Sequence, residues 1–306
     1  MTTASVDRIE MGDLTCWSLS FNNSKLLIAE QGAQILRYEN NGEPPIIWLS
    51  EHAEMKPGNS QRGGVPVCWP WFGDLLRNPD SVQAMHQQPQ QAGAHGLVRS
   101  IDWALEGVEQ REECASITFS YNSLEQPLAH WPHAAELILS VRLGERLSIS
   151  LVCRNLGDQP LAFSQALHSY FAVSDINQVS VEGLQDCSYI ETLEDWQARS
   201  QTGALHFSGE TDRIYLNPPA KLQIIDPLWQ RTINLLSTGS HSAVVWNPWI
   251  DKAQRLSQFD DAAWQQMLCI EHANVLDDAV TLAPATEHEL ALDIWVEHTL
   301  TSHPLV

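Results

Sequence analysis

Short runs in which apolar and polar residues alternate follow one another along most of the chain, and helical periodicity is sustained nowhere for long. This period of two predicts β-strands. A single short helix is predicted over residues 260–266, with Asp260 as its N-cap. The strands are predicted over residues 14–21, 25–30, 34–38, 46–49, 116–121, 136–143, 147–154, 161–173, 178–184, 213–217, 222–225, 231–236, 243–246, 267–275 and 289–297.

The number and spacing of these strands predict the fold class. Many short strands separated by Gly, Pro, Asn and Asp are typical of an antiparallel sandwich or barrel, and their count favours a large one. No internal repeat is visible, and no segment rich in Pro, Gly or Ser divides the chain. We therefore expect an all-β protein with a few short helices, folded as one domain over residues 1–306.

A loop-rich passage over residues 55–103 interrupts the strands. It contains the segments QRGGVPVCWPWFG and AHGLVRSIDW. Gly63 and Gly64 permit positive φ angles or a close approach of two backbones, and Pro66 and Pro70 stiffen the path. Long ordered loops in compact domains are usually functional, and a cover over one end of the sandwich is the alternative.

The predicted strand 267–275 carries a carboxylate on an otherwise apolar face. With a period of two, Glu271 shares its face with Met267, Cys269 and Ala273. A carboxylate on such a face costs free energy unless it is paired, hydrogen-bonded or protonated, and desolvation raises its pKa toward the range of a general base. The alternatives are a structural ion pair with an arginine, or a strand whose other face is the buried one.

The predicted strand 161–173 carries a histidine among small residues. His168 shares its face with Ser164 and Ala166, which leave room for a ligand beside the ring. A lone histidine in a strand is more often structural. Together with a partly desolvated carboxylate, however, it forms a workable general acid and base, so His168 and Glu271 are the candidate catalytic pair.

Candidate binding residues occur in or near the same segments. Arg62 and Arg99 lie in the loop-rich passage, and the planar guanidinium group suits a phosphate or a carboxylate. His95 and Asp212 are further candidates. The tryptophans near these motifs could stack on the C–H face of a sugar, namely Trp69, Trp71, Trp246 and Trp249. Surface arginines bridged to acids, and tryptophans packed in the core, are the alternatives.

Composition narrows the range of ligands. The chain has 38 Asp and Glu against 17 Lys and Arg, a formal net charge of −21, which argues against nucleic acid as a partner. An anionic ligand would need several of the few basic residues at its site. No phosphate-loop, dinucleotide or metal motif is visible, so we expect no cofactor and no metal.

The six cysteines are scattered, with no paired CxxC spacing. The chain shows no signal-peptide pattern at its start and no apolar run long enough to span a bilayer. These features predict a cytoplasmic protein without a membrane partner.

Several motifs together resemble a known family. The segments RGGVPVCWPWFG, AHGLVRSIDW, LHSYFAV, TDRIY and VVWNPW…MLCIEHANV, in this order, are similar to those of the hexose-6-phosphate mutarotases (glucose-6-phosphate 1-epimerases) of the aldose 1-epimerase, or galactose mutarotase-like, superfamily. The resemblance spans about residues 62–275. It implies a single large β-supersandwich and an isomerase, without metal or cofactor, that interconverts the α and β anomers of a sugar phosphate.

The resemblance also implies roles for individual residues. His168 of LHSYF matches the histidine that acts as acid on the ring oxygen, and Glu271 of CIEHANV matches the glutamate that takes the anomeric hydroxyl proton. Arg62 and Arg99 match the arginines that hold the phosphate, and Asp212 of TDRIY matches an aspartate that contacts the substrate.

The sequence departs from the family pattern at two positions. Ala94 stands where some members have a glutamine that contacts the substrate, which puts that contact in doubt. His272 follows the glutamate, where we expect a non-ionisable residue in some relatives; in a strand it points to the opposite face.

Two other functions stay open. One is an aldose 1-epimerase for unphosphorylated sugars, in which Arg62 and Arg99 are structural. The other is a non-enzymatic carbohydrate-binding sandwich, which the twelve tryptophans would also fit. A glycosidase is less consistent, because it needs two facing carboxylates and only Glu271 stands out. We expect a monomer that acts on glucose 6-phosphate, although the sequence does not fix the preferred hexose phosphate or the pathway.

Overall fold

The computed structural model describes residues 4–298, which form mainly β-strands, as the sequence predicts. The strands are Ala4–Met11 (β1), Leu14–Phe21 (β2), Ser24–Ala29 (β3), Ile35–Asn40 (β4), Val67–Cys68 (β5), Ala104–Gln110 (β6), Ala115–Asn122 (β7), Ala135–Leu143 (β8), Leu147–Asn155 (β9), Leu161–Phe163 (β10), Gln165–Leu167 (β11), Tyr170–Ala172 (β12), Ser180–Glu182 (β13), Ser188–Glu191 (β14), Gln197–Ser200 (β15), Leu205–His206 (β16), Thr211–Leu216 (β17), Lys221–Asp226 (β18), Arg231–Thr238 (β19), Ser242–Asn247 (β20), Met267–Asn274 (β21), Val280–Leu282 (β22) and Glu287–His298 (β23).

Helices are short and few. The α-helices are Asp80–Gln83 (α1) and Trp249–Ala253 (α2). Single 3₁₀ turns occur at Leu75–Arg77, Pro89–Gln91, Ala263–Gln266 and Leu276–Asp278. Between residues 4 and 298, no helix is long and apolar enough to cross a membrane.

Two large antiparallel sheets form the body of the fold. One has nine strands in the order β16-β13-β18-β19-β23-β9-β8-β7-β6. The other follows the order β15-β14-β17-β20-β21-β11-β5, with β12 also paired to β21. A four-stranded sheet, β1-β2-β3-β4, packs near β6, β7 and β8. Side chains of all three sheets share one apolar core, which includes Leu19, Leu151 and Ile270. This is the large antiparallel sandwich that the strand count predicts.

The two large sheets differ in how their strands are covered. Strands β7, β8 and β9 alternate between buried and partly exposed residues, so one of their faces meets solvent. Strands β20 and β21 are buried along their whole length. One face of β21 faces the nine-stranded sheet, since Asn274 contacts His288 of β23 through a 3.1 Å hydrogen bond. The opposite face carries Glu271 and lines a cavity.

Several of the predicted elements agree closely with the structure, and three differ. Residues 46–49 make only isolated bridges, through Ile47 and Leu49. The predicted strand 161–173 is divided into β10, β11 and β12. The predicted helix 260–266 is reduced to the 3₁₀ turn Ala263–Gln266, although Asp260 does accept a hydrogen bond from the Ala262 amide at 2.8 Å. In each case local loop geometry overrides the apolar pattern.

Candidate active site

A cavity of about 510 Å³ lies on the face of the eight-stranded sheet that is turned away from the main core. Six of the seven site residues expected from the sequence line it: Arg62, His95, His168, Asp212, Trp246 and Glu271. They come from positions more than 200 residues apart in the chain. The fold therefore gathers these residues around a space of the size that sugar-sized ligands occupy.

His168 is positioned by an interruption between two short strands. Both β11 and β12 pair with β21, and His168 and Ser169 form the gap between them. The His168 amide donates to the carbonyl of Pro66 at 3.0 Å, whereas the Ser169 carbonyl accepts from Ile270 at 3.2 Å. Because the gap lies beside Ile270 and Glu271, the imidazole meets the carboxylate of the neighbouring strand.

The His168–Glu271 pair is enclosed and close. Nδ1 of His168 lies 3.5 Å from Oε2 of Glu271, and only 10% and 2% of the two side chains are exposed. Neither atom has a hydrogen-bond partner among the described residues. The imidazole stacks on the ring of Tyr170, with centroids 4.8 Å apart and planes within 5°. This stacking fixes the orientation of the imidazole relative to the cavity.

The environment shifts the pKa values of the pair in opposite directions. Burial raises the pKa of Glu271 well above its usual value, and the charge of Asp212 raises it further. Burial lowers the pKa of His168 well below its usual value, and the charges of Arg99 and Arg62, with that of His95 where it is protonated, add to that effect. The carboxylate is thereby a stronger base, and the imidazolium a stronger acid, than either group is in water.

His95 approaches His168 because the backbone turns sharply at His95 and Gly96. His95 and Gly96 both have positive φ angles, 65° and 73°. A Cβ atom on Gly96 would clash with the Trp69 carbonyl oxygen, so glycine is required there. The ring centroids of His95 and His168 are 5.4 Å apart. Burial, with the charges of Arg99 and Arg62, lowers the pKa of His95 to about 3, so this imidazole is neutral at physiological pH.

Arg62 lies in the wall of the cavity. The positive φ angles of the next two residues, Gly63 and Gly64 (112° and 73°), let the backbone turn beside Arg62. Its carbonyl accepts from the Ser50 amide at 3.0 Å, and its Nε is 3.4 Å from the carbonyl oxygen of Ser257. Within residues 4–298, no carboxylate pairs with Arg62. Its guanidinium group is therefore available for an anion.

Arg99 does not line the cavity, unlike the other expected residues. Its Nη2 donates instead to the carbonyl of Ala94 at 3.0 Å. Its charge nevertheless contributes to the lowered pKa of His168, so the guanidinium group acts at the site through the electric field. The sequence places Arg99 in the correct loop but cannot show which way its side chain turns.

Asp212 and Trp246 are opposite each other on β17 and β20. Burial raises the pKa of Asp212, and the Lys252 ammonium group, 4.0 Å away, opposes this shift. Lys252 also contacts Glu210 at 3.2 Å and lies 5.9 Å from the centre of the Trp246 ring. One edge of the cavity is thus polar and charged, and Trp246 adds an aromatic surface beside it.

The residues of the cavity wall that sequence reasoning missed include Arg77, Tyr170, Trp196 and Lys252. Arg77 lies in the loop-rich passage and could have been found there. It sits over the ring of Trp196, 5.2 Å from the centroid. Trp196 has a positive φ of 60° in the turn between β14 and β15, and no sequence signal predicts this conformation for tryptophan.

The other tryptophans considered for sugar stacking serve as packing. Trp69 is fully buried and packs on Trp131 with centroids 4.8 Å apart. Trp71 is buried as well, and Trp249 packs on Trp264 at 4.4 Å. Core packing, the alternative considered for these residues, accounts for all three.

An enclosed imidazole and carboxylate with opposed pKa shifts, in a sugar-sized cavity of a large antiparallel sandwich, are typical of enzymes that use acid–base catalysis. Comparison with known proteins identifies the family. The family model described as aldose 1-epimerase matches residues 15–295. The chain therefore belongs to the aldose 1-epimerase family, whose members are isomerases.

Relatives with similar sequences carry a more specific name. A protein of Cenchrus ciliaris named "Putative glucose-6-phosphate 1-epimerase" is 34% identical over 266 residues, which cover 84% of this chain and 76% of that protein. A protein of the same name from Salmonella typhimurium is 32% identical over 270 residues, which cover 88% and 86%.

A solved structure shows that the similarity extends to the fold. The crystal structure of "a putative mutarotase (YeaD) from Salmonella typhimurium" superposes with a TM-score of 0.86 at 30% identity, and covers 96% of this chain and 94% of that one. A galactose mutarotase-like protein from Clostridium acetobutylicum, 13% identical with a TM-score of 0.73, shares the fold. The galactose mutarotase-like sandwich expected from the sequence is thereby confirmed.

Proposed function

We propose that this protein interconverts the α and β anomers of a hexose 6-phosphate, with glucose 6-phosphate as the first candidate. The observation that carries the proposal is the enclosed His168–Glu271 pair, 3.5 Å apart, in a cavity that Arg62 also lines. The names of the relatives support the choice of substrate. Two groups with opposed pKa shifts suit a reaction that needs one proton given and one taken.

The proposed reaction opens and closes the sugar ring. Glu271 removes the proton of the anomeric hydroxyl while His168 gives a proton to the ring oxygen, and the bond between the anomeric carbon and the ring oxygen breaks. The open-chain aldehyde rotates about its C1–C2 bond. The same transfers then run in reverse on the other face of the carbonyl, which restores both residues to their starting protonation states.

The phosphate has a second role in this proposal. Part of the lowered pKa of His168 comes from the charges of Arg99 and Arg62. A phosphate dianion beside Arg62 would offset this positive field and favour a proton on His168, as its acid role requires. Bound phosphate would therefore raise kcat as well as affinity. A free sugar that fills the same cavity would lack this effect even at saturation.

Three further features belong to the proposal. All six cysteines are free thiols, which supports a reducing, cytoplasmic location. One apolar core joins the three sheets, which supports a single domain. We also expect a monomer; sedimentation or light scattering of the purified protein would test this.

The experiment is anomer exchange measured by NMR on glucose 6-phosphate and on free glucose, with catalytic amounts of protein. Faster exchange of the phosphate, with little effect on glucose, is the expected result. Equal acceleration of both sugars would favour an aldose 1-epimerase without phosphate recognition. Binding of either sugar without any acceleration would favour the carbohydrate-binding alternative.

A further inference from the structure

Two side chains of the cavity wall, His168 and Glu271, form a set of metal ligands together with the adjacent buried Cys269. A ring nitrogen of His168, the Sγ atom of Cys269 and a carboxylate oxygen of Glu271 all lie within 4.8 Å of one another, and all three residues are buried. No other group of three His, Cys, Asp or Glu side chains in residues 4–298 has ligand atoms as close. The ring-opening mechanism uses His168 and Glu271 but gives no role to the thiol of Cys269.

The strand geometry explains why the thiol reaches this position. Cys269 and Glu271 are two residues apart on β21, so their side chains are on the same face. Cys269 is also opposite Tyr170, whose ring stacks on His168. The imidazole thus lies above the same face of β21 that presents the thiol and the carboxylate. All three ligands sit on regular strands or next to them, and not on long loops.

Two polar atoms of these side chains lack a hydrogen-bond partner within the described chain. Nδ1 of His168 and Oε2 of Glu271 are both enclosed and unpaired, although they lie only 3.5 Å apart. Enclosed polar atoms are normally satisfied, and such an exception points to a bound group. A cation that accepts a lone pair from each atom would satisfy both at once.

We propose that this cluster is a site for a thiophilic divalent cation such as Zn²⁺, held by His168, Cys269 and Glu271, and that the bound ion inhibits the enzyme. One nitrogen, one sulfur and one oxygen ligand suit zinc and cadmium, whereas magnesium and calcium prefer oxygen ligands alone. A fourth position would face the cavity, as in zinc sites with three protein ligands. The inhibition rests on the proposed function, but binding of the ion does not.

The dimensions are compatible with tetrahedral coordination. Zinc–nitrogen and zinc–sulfur bonds of about 2.0 and 2.3 Å place neighbouring ligand atoms roughly 3.3 to 3.8 Å apart. The His168–Glu271 separation of 3.5 Å already falls in this range. No two ligand atoms of the cluster are more than 4.8 Å apart. To reach the separation found in a zinc site, an atom at that distance would have to move by only about 1 Å, which a rotation of its side chain can achieve.

The test compares the whole chain with variants that lack one thiol. Zn²⁺ is titrated by calorimetry into the wild type, Cys269→Ala, Cys269→Ser and Cys114→Ala. Cys114 is a buried cysteine that does not belong to the ligand cluster, so its variant is the matched control. We expect one zinc per wild-type chain. The two Cys269 variants should bind zinc at least ~10- to 100-fold more weakly than the wild type, because even substitution of residues that only orient a metal ligand has an effect of that size. The Cys114→Ala variant should bind zinc as the wild type does.

Two further measurements separate the possible outcomes. Cd²⁺ should produce the ultraviolet absorption of a cadmium–thiolate bond in the wild type and in Cys114→Ala, but not in the Cys269 variants. Zn²⁺, and not Mg²⁺, should slow anomer exchange in competition with the sugar, and a chelator should restore it. Two different substitutions of Cys269 are used so that the test can still be made if one variant does not fold. Melting curves show whether each protein is folded.

Equal zinc affinity in the wild type and the Cys269 variants would overturn the proposal, as would the absence of a thiolate band. Zinc binding with a thiolate band, in a protein that accelerates no sugar, would leave the metal site standing and refute the proposed function. Anomer exchange that is insensitive to bound zinc would overturn the inhibitory role.

Discussion

Glu271 and His272 are neighbours on β21, and both are buried and titratable, but they occupy opposite faces of the strand. Glu271 faces the cavity, where His168 lies 3.5 Å away. His272 does not line the cavity, and both its ring nitrogens are enclosed without a partner among the described residues. Burial raises the pKa of Glu271 and lowers that of His272 to about 4.

This comparison teaches that burial and a shifted pKa do not by themselves mark a catalytic residue. The two residues share a strand, a degree of burial and an unpaired polar group. They differ in access to a ligand and in the presence of a second titratable group at contact distance. The account therefore predicts that substitutions on the two faces of β21 have different kinds of effect.

The largest effect is expected for Glu271→Gln. Glutamine keeps the size of the side chain but cannot accept the anomeric proton. The exchange rate of glucose 6-phosphate should fall by about 10²- to 10⁴-fold, the usual contribution of a general base. The melting temperature should not fall, because the change replaces a buried carboxylate whose Oε2 atom has no hydrogen-bond partner in the described chain. A melting temperature well below that of the wild type would show that Glu271 is structural.

His168→Asn should cause a loss of similar size. The substitution removes the proton donor for the ring oxygen, and general acids also contribute about 10²- to 10⁴-fold. Tyr170 loses its stacking partner, so a modest fall in melting temperature is expected as well. The double variant that combines His168→Asn with Glu271→Gln should be scarcely slower than either single variant, because the two residues act as a unit. Full additivity would contradict a shared proton-transfer mechanism.

A change on the other face of β21 should affect stability and not catalysis. His272 is neutral in the fold and has a lowered pKa of about 4, so the unfolded chain binds more protons between that pH and about 6.5. The fold therefore loses stability as pH falls through this interval, and above it the group has no effect. Across the interval the loss attributable to His272 is about 3 kcal/mol.

The variant His272→Leu should remove that pH dependence. Urea unfolding at pH 7 and at pH 4 would measure the difference in unfolding free energy between the two conditions. This difference in unfolding free energy should be smaller in His272→Leu than in the wild type by about 3 kcal/mol. His206→Leu, a change at an exposed histidine, is the control and should behave as the wild type. An unchanged pH dependence in His272→Leu would refute the assignment.

A smaller and more selective effect is expected at the cavity wall. Arg62→Ala should lower kcat/KM for glucose 6-phosphate by roughly 10- to 100-fold, as loss of a charge-assisted hydrogen bond of about 1.5 to 3 kcal/mol implies. Exchange of free glucose should scarcely change. Arg62→Lys would restore part of the loss, because it returns the charge without the planar group. Equal losses on both sugars would show that Arg62 shapes the cavity instead.

The smallest effect is expected for Arg99→Ala. This side chain is turned to the Ala94 carbonyl and does not line the cavity. The substitution removes a charge that contributes to the lowered pKa of His168, so the acidic limb of the pH–rate profile should move slightly upward. A loss as large as that of Arg62→Ala would mean that Arg99 reaches the phosphate after a side-chain rotation.

Much of the fold was predictable because the strands alternate regularly. Strand β2 matches its predicted bounds, and β7, β8 and β9 differ by a single residue at one or both ends. Strand β6 was not predicted, because all its residues are exposed and none provides an apolar face. Edge strands of this kind are held by a single neighbouring strand, which leaves little trace in the sequence.

The candidate site was predictable in part. The unusual faces of the strands that carry His168 and Glu271 indicated both residues, but their contact depends on the pairing of β11 and β12 with β21, about a hundred residues later. The sequence does not encode that register in any local pattern. The cavity positions of Lys252 and Trp196 also depend on tertiary packing, through α2 and the β14–β15 turn respectively.

The most direct test of the account is NMR anomer exchange of glucose 6-phosphate, with the wild type, Glu271→Gln and His272→Leu measured side by side at pH 7. The account predicts fast exchange with the wild type and with His272→Leu, and a loss of about 10²-fold or more with Glu271→Gln. Equal losses in both variants, or none in either, would contradict the claim that only the cavity face of β21 performs catalysis.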